Sequence, residues 1–159
     1  GGTYYRPIYS RVTEKNYKNQ HKEYPKSWFS DLDIEKQVTS EKCDKSVNKY
    51  KVKSGLSLKE WEDSGWIKSQ DPYGWFQWYC RFYTGRRTKD DERQIDRWIK
   101  YASETSGRFR LRLMNMCIKK GKDYNDESVS PVIRQGLQHW GYKLTLSDFN
   151  KYKKKKEKS

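Results

Sequence analysis

Cysteine, histidine, proline and long apolar runs are all scarce in this chain, and each shortage closes off a class of explanation. The three cysteines, Cys43, Cys80 and Cys117, lie far apart. An odd count excludes complete internal pairing, and the Cys and His present lack the short paired spacings of a structural zinc site. Cys80 and Cys117 fall in apolar helical patterns, where a buried free thiol is expected. No Gly-rich phosphate loop, nucleophile elbow or dinucleotide fingerprint occurs anywhere. No catalytic residue, metal or cofactor is therefore expected. A secretory leader and a bilayer-length apolar run are also missing, which points to an intracellular setting (nuclear, cytoplasmic or virion-associated) and no membrane partner. The start at Gly1-Gly2, without Met, leaves open that the chain is a piece of a longer one.

What remains is charge and aromatic rings. Of 159 residues, 33% are hydrophobic and 35% charged, a balance that by itself suggests disorder. Seven Trp and thirteen Tyr argue the other way, because each ring buries a large area and a core can be built from few of them. The formal net charge is +14, and it is unevenly placed. Residues 1–56 hold twelve Lys/Arg against seven Asp/Glu, residues 57–150 seventeen against thirteen, and residues 151–159 six against one. Such an excess supports solubility and weak attraction to polyanions, not one particular function.

The first 56 residues show no helical period. Pro7, Pro25 and many Lys and Asn predict an extended arm, with a short helix near Asp33–Val38, anchored through Tyr4, Tyr5, Ile8, Tyr9, Trp28 and Phe29. Helical signals begin at Ser57, whose spacing to Glu60 is that of a capping box. Asp71-Pro72 reads as the next cap and first-turn proline. Beyond it, Trp75, Trp78, Tyr79 and Phe82 fall on one helical face, with Gln77 and Arg81 opposite. Asp90-Asp91-Glu92 suits the start of a third helix with the stripe Ile95, Trp98, Ile99, Ala102. A fourth, near Arg108 to Lys120, is apolar on two sides, with Arg108, Arg112 and Lys119 in a narrow seam, and so reads as central. Ser130-Pro131 opens a fifth, with Val132, Ile133, Gly136, Leu137 and Trp140 inward and Arg134, Gln135 and Gln138 outward. Ser147 reads as the cap of a short last helix. The expected fold is mainly α, a compact aromatic-rich bundle of five to six helices with an extended N-terminal arm. Its divisions would be 1–56 for the arm, 57–150 for the helical core and 151–159 for a frayed lysine tail.

Seven aromatics occupy the eleven positions from Tyr73 to Tyr83, and eight of the eleven arginines fall between Arg81 and Arg112. Guanidinium groups are forked, permanently charged donors that match phosphate oxygens and stack on planar rings. Arg81, Arg86, Arg87, Lys89, Arg93, Arg97 and Lys100 are thus candidate phosphate contacts. The competing reading is a solvated surface partly neutralised by Asp90, Asp91 and Asp96. Arg134 and Gln138 would approach base edges if the fifth helix entered a groove. Trp75, Trp78, Tyr79 and Phe82 read as core by their spacing. Tyr73, Phe76 and Tyr83 point elsewhere and are the stacking candidates. His139 reads as a structural histidine and His21 has no partner motif; the acids after Asp90 serve a helix start more economically than a nuclease site.

The run Asp71-Pro-Tyr-Gly-Trp-Phe-Gln-Trp-Tyr-Cys-Arg-Phe-Tyr-Thr-Gly-Arg-Arg, then Asp90-Asp-Glu-Arg-Gln-Ile-Asp-Arg-Trp and His139-Trp-Gly-Tyr, resembles a family of proteins of unassigned activity from giant viruses, fungi, algae and some bacteria. Tyr4–Ile8 and Tyr24–Trp28 are similar too, so the likeness covers most of residues 2–146. It implies that arm and helices form one unit with the lysine tail outside it, and it implies no catalytic residue. Taken together, the sequence predicts a non-enzymatic nucleic-acid-binding module, with DNA slightly preferred over RNA. The alternatives are a nuclease or base-processing enzyme, or a structural protein of a virion or ribonucleoprotein whose basic surface meets an acidic protein partner.

Overall fold

Residue-to-residue contacts divide the chain after Lys89, not at Ser57 as the composition suggested. The computed structural model describes residues 1–159, and its two compact units, Gly1–Lys89 and Asp90–Ser159, differ in how they are held together.

In the N-terminal unit, β1 (Ile8–Ser10) and β2 (Lys15–Tyr17) form an antiparallel hairpin that pairs Ile8 with Tyr17 and Ser10 with Lys15. Three short 3-10 turns follow, at Gln20–Glu23, Lys26–Phe29 and Lys45–Val47. Between the last two lies α1 (Ile34–Gln37), whose cap Asp33 accepts from the Lys36 amide. In α2 (Leu58–Asp63), the Ser57 side chain accepts from the Glu60 amide, as the capping-box spacing required.

The next helix, α3 (Trp75–Tyr83), starts later than expected. Gly74 occupies its N-cap with φ 92° and ψ −153°, a conformation open essentially to glycine alone. A Cβ there would also come within 2.8 Å of Ile67 Cδ1. Asp71 is not the cap. Its carbonyl closes a turn with the Gly74 amide at 2.8 Å, which leaves its carboxylate for other partners.

This unit is built on rings. Tyr5, Tyr24, Val38 and Cys80 are buried, and Tyr4, Trp28, Phe29, Tyr73 and Phe76 pack around them. Tyr5 lies 5.5 Å from Tyr24 and 5.3 Å from Tyr73 between ring centroids. Its hydroxyl donates to that of Tyr24 at 3.1 Å, and its amide donates to Val38 O at 2.9 Å. Rings of 150–250 Å² each let an arm with few aliphatic residues fold against a single helix. Gln77, expected on the outer side of α3, is buried, because its side-chain oxygen accepts from the Tyr73 amide at 3.0 Å.

The C-terminal unit is four helices around an aliphatic core: α4 (Asp91–Ala102), α5 (Arg108–Lys120), α6 (Pro131–His139) and α7 (Leu146–Glu157). With α1–α3 these make seven α-helices, slightly more than expected, in a mainly helical chain. Ala102, Leu113, Met114, Cys117, Val129, Leu137, Leu144 and Phe149 form the core. Three of these eight, Leu113, Met114 and Cys117, come from α5, more than from any other helix, which agrees with the central place read from its two apolar sides. Gly121 ends α5 in the left-handed region at φ 63°, the usual glycine stop. The indole of Trp98 ties α4 to the end of α6 by donating to Trp140 O at 2.9 Å.

Two expectations about helix ends are corrected. Thr145, not Ser147, caps α7 by accepting from the Asp148 amide, and the lysine tail is not frayed: α7 runs through Lys151–Lys156 to Glu157. Phe149 explains this, buried in the core one turn before the lysines. Facing errors occur on α6, where Val132 is exposed while Arg134 and Gln135 are buried. No helix is long and apolar enough to cross a membrane.

Candidate nucleic-acid interface

The arginines singled out in the sequence are divided between the two units, and most are engaged within the chain. Asp71 is 1% exposed and accepts from two of them, Arg81 Nη1 at 3.0 Å and Arg86 Nη2 at 2.6 Å. Arg81 also forks onto Glu23, with Nε and Nη2 at 2.8 and 2.7 Å. Such bidentate charge-assisted pairs fix geometry strongly. Accordingly, hydrogen bonding to Arg81 holds the Glu23 carboxyl below the usual carboxylate range. Bonds to Glu23, ahead of those to Asp71, raise the Arg81 guanidinium. Arg81 thus ties the arm to α3 through Glu23, and Arg86 ties the loop after α3 to the turn before it, in place of the expected phosphate contacts.

Arg93 is likewise taken. Its Nε and Nη2 donate to Asp90 at 2.6 and 2.9 Å, so Asp90, which stands at the N-cap of α4 as expected, gives its carboxylate to a cation and not to a capping amide. Arg97 donates to Gln94 Oε1 at 2.9 Å and lies 5.2 Å from the Trp140 ring. Burial, then the neighbouring Arg93 charge, pushes it down to about 10. Arg134 is 5% exposed, with Nε donating to Val129 O at 2.9 Å and Nη2 3.6 Å from Cys117 Sγ. It cannot reach a base edge. Gln138 is exposed but accepts from Gln135 Nε2 at 3.0 Å.

Three expected cations remain on the surface: Arg87, Lys89 and Lys100. Lys100 pairs with Asp96 at 2.8 Å, both side chains more than half exposed, an arrangement worth little in water. Arg87 stacks on Phe82 at 3.8 Å and donates to the Phe82 and Arg86 carbonyls. It has no carboxylate partner. Among the stacking candidates, Tyr73 and Phe76 are corrected. The Tyr73 ring packs on Tyr5 and its hydroxyl donates to Arg6 O at 2.6 Å, while Phe76 lies 4.3 Å from Tyr4. Tyr83 alone of the three is exposed.

A second cationic surface was not assembled from the sequence, although its parts were visible. Asn115, half-buried on α5, accepts on one oxygen from both Tyr152 Oη and Lys156 Nζ of α7, each at 2.8 Å. Residues three and four apart share a helix face, so Arg112 and Lys119 flank Asn115, and both are exposed. Lys156 therefore meets α5 at Asn115, one turn from each of these two cations, with Lys153, Lys154 and Lys155 on the same α7. The sequence signals were the Arg108, Arg112, Lys119 seam and the lysine run. Asn115, the residue joining them, carries no charge and gave no signal.

His139 and the buried thiols offer little to catalysis. Burial pushes the His139 imidazolium down to about 4, and burial pushes the Cys80 thiol up to about 11. No three His, Cys, Asp or Glu side chains lie together so as to hold a metal ion. Comparison with known proteins finds no family, no curated protein and no solved structure that matches this chain. The family resemblance drawn above rests on its motifs alone.

Proposed function

We propose that this protein is a nucleic-acid-binding module that contacts the phosphate backbone through the α5–α7 seam. The observation that carries the reading is Asn115, which binds the Lys156 ammonium of α7 and has the exposed Arg112 and Lys119 one turn to either side on its own helix. The C-terminal unit holds seventeen Lys/Arg against ten Asp/Glu, and five of those lysines stand on the one helix α7. Rows of cations at helical spacing suit phosphate contacts of DNA or RNA alike and carry no base readout. This reading moves the interface from Arg81, Arg86 and Arg93, which Glu23, Asp71 and Asp90 neutralise, to the lysine helix and its neighbour.

A salt titration tests this. Labelled duplex DNA and duplex RNA are bound between about 50 and 200 mM salt, and log affinity should fall linearly with log salt by about 0.9 per phosphate neutralised. The triple variant Arg112→Ala, Lys119→Ala, Lys156→Ala should weaken binding and flatten the slope by about 2–3. Unchanged affinity for both duplexes would sink the proposal.

A further inference from the structure

Tyr83 is the most exposed large hydrophobic residue of the chain, at 70%, yet its ring is held in place. Trp28 meets it edge-on at 5.7 Å, and Tyr79, one helical turn back, lies at 6.4 Å. Both neighbours are themselves fixed. Trp28 stacks on Tyr24 at 5.2 Å with the planes 4° apart, and Tyr24 contacts the buried Tyr5. Tyr79 stacks on the buried Trp75 at 5.2 Å and 11°. A lone surface tyrosine would sample several rotamers; this one ends a row of rings that runs into the core.

The surroundings of that row are cationic. Arg87 sits at the same end of α3, held on the Phe82 ring and carbonyl with no carboxylate partner. Lys22 and Lys26 precede Trp28 in sequence, Lys89 lies two residues after Arg87, and all three are exposed and form no ion pair. Of the acids near these residues in sequence, Glu23 is neutralised by the Arg81 fork and Asp90 by Arg93, while Asp31 is exposed. A planar, apolar, pre-positioned ring beside unneutralised cations matches a planar base attached to a phosphate. A duplex offers no free base face; a single strand offers one per nucleotide.

We infer that Tyr83, backed by Trp28 and Tyr79, is a stacking platform for an unpaired nucleobase, with Arg87 beside it for the adjoining phosphate. The inference rests on the nucleic-acid reading above but places single-strand recognition on the N-terminal unit, apart from the α5–α7 seam.

The test uses the full chain with a labelled oligothymidylate of about 15 nucleotides, within the range of known single-strand sites, and a duplex of equal length. Tyr83→Ala should lower single-strand affinity about tenfold, the loss of one stacked base. Tyr83→Phe should keep it, and duplex affinity and both salt slopes should stay as they are. Equal single-strand binding by Tyr83→Ala overturns the platform while leaving the seam intact. Equal losses on single strand and duplex overturn it too, because a stacked base would not be the cause. A wild-type chain that binds neither probe overturns both readings.

Discussion

The two halves of this molecule carry the same excess charge and use it in opposite ways. The N-terminal unit holds eighteen Lys/Arg against eleven Asp/Glu, the C-terminal unit seventeen against ten, so each nets +7. In the first, Arg81 and Arg86 turn inward and converge on Asp71 while Arg87 stays exposed, and aromatic rings supply the apolar area. In the second, an aliphatic core frees the outer sides of α5 and α7, and lysines gather there. Net charge therefore says little about where a polyanion can land. Availability depends on whether a carboxylate already sits within reach of each cation.

The comparison can be broken most directly at Asp71. Removing a buried carboxylate that serves two guanidinium groups leaves cations without a counter-charge. Asp71→Ala should destabilise the N-terminal unit by about 3 kcal/mol. Urea unfolding followed by aromatic near-ultraviolet signal would report it, and a loss below about 0.5 kcal/mol would mean the network is a surface feature only.

A smaller effect is expected from His139. The folded protein favours its neutral imidazole, with a pKa near 4 against an ordinary 6.5. The unfolded chain therefore takes up the extra proton in that window, and stability is full above about pH 6.5 and falls as pH drops toward 4. The loss should approach about 2–3 kcal/mol. His139→Gln should remove this part of the acid sensitivity, leaving the share that comes from Glu23, whose depressed carboxyl loses its contribution only as pH falls through the lower carboxylate range. Urea midpoints measured across the window decide the matter; parallel curves for variant and parent would refute it.

Least costly is Asn115→Ala. It deletes the acceptor shared by Tyr152 and Lys156 and should cost about 1 kcal/mol. It should also weaken phosphate binding, because α7 loses its tie to α5. If stability drops and binding does not, the seam is structural and the lysines act as an independent row.

Much of the helical plan was legible. Ser57, Asp33, Gly121 and Pro131 mark ends by local chemistry that needs no tertiary context, and the two apolar sides of α5 announced its central place. Polar residues with a buried purpose were not. Gln77, Arg134 and Gln135 look outward to any periodicity argument, yet backbone groups at Tyr73 and Val129 give the first two partners inside. Asp71 before a proline looked like a cap, because nothing local shows that guanidinium groups ten and fifteen residues later will take its carboxylate. The lysine run looked frayed by composition. Its order comes from a Thr145 cap and from Phe149 and Tyr152, which reach the core and Asn115.

The fork from Arg81 to Glu23 bridges 58 positions of chain, and the span it closes includes the exposed segment 41–46. A protease cutting there would sever the backbone without releasing either piece. The leading fragment would stay clasped by its ion pairs and rings, and two peptides mixed after separation should recombine into the same unit. The arm behaves, in that sense, as a ligand that happens to be covalently tethered to its own receptor.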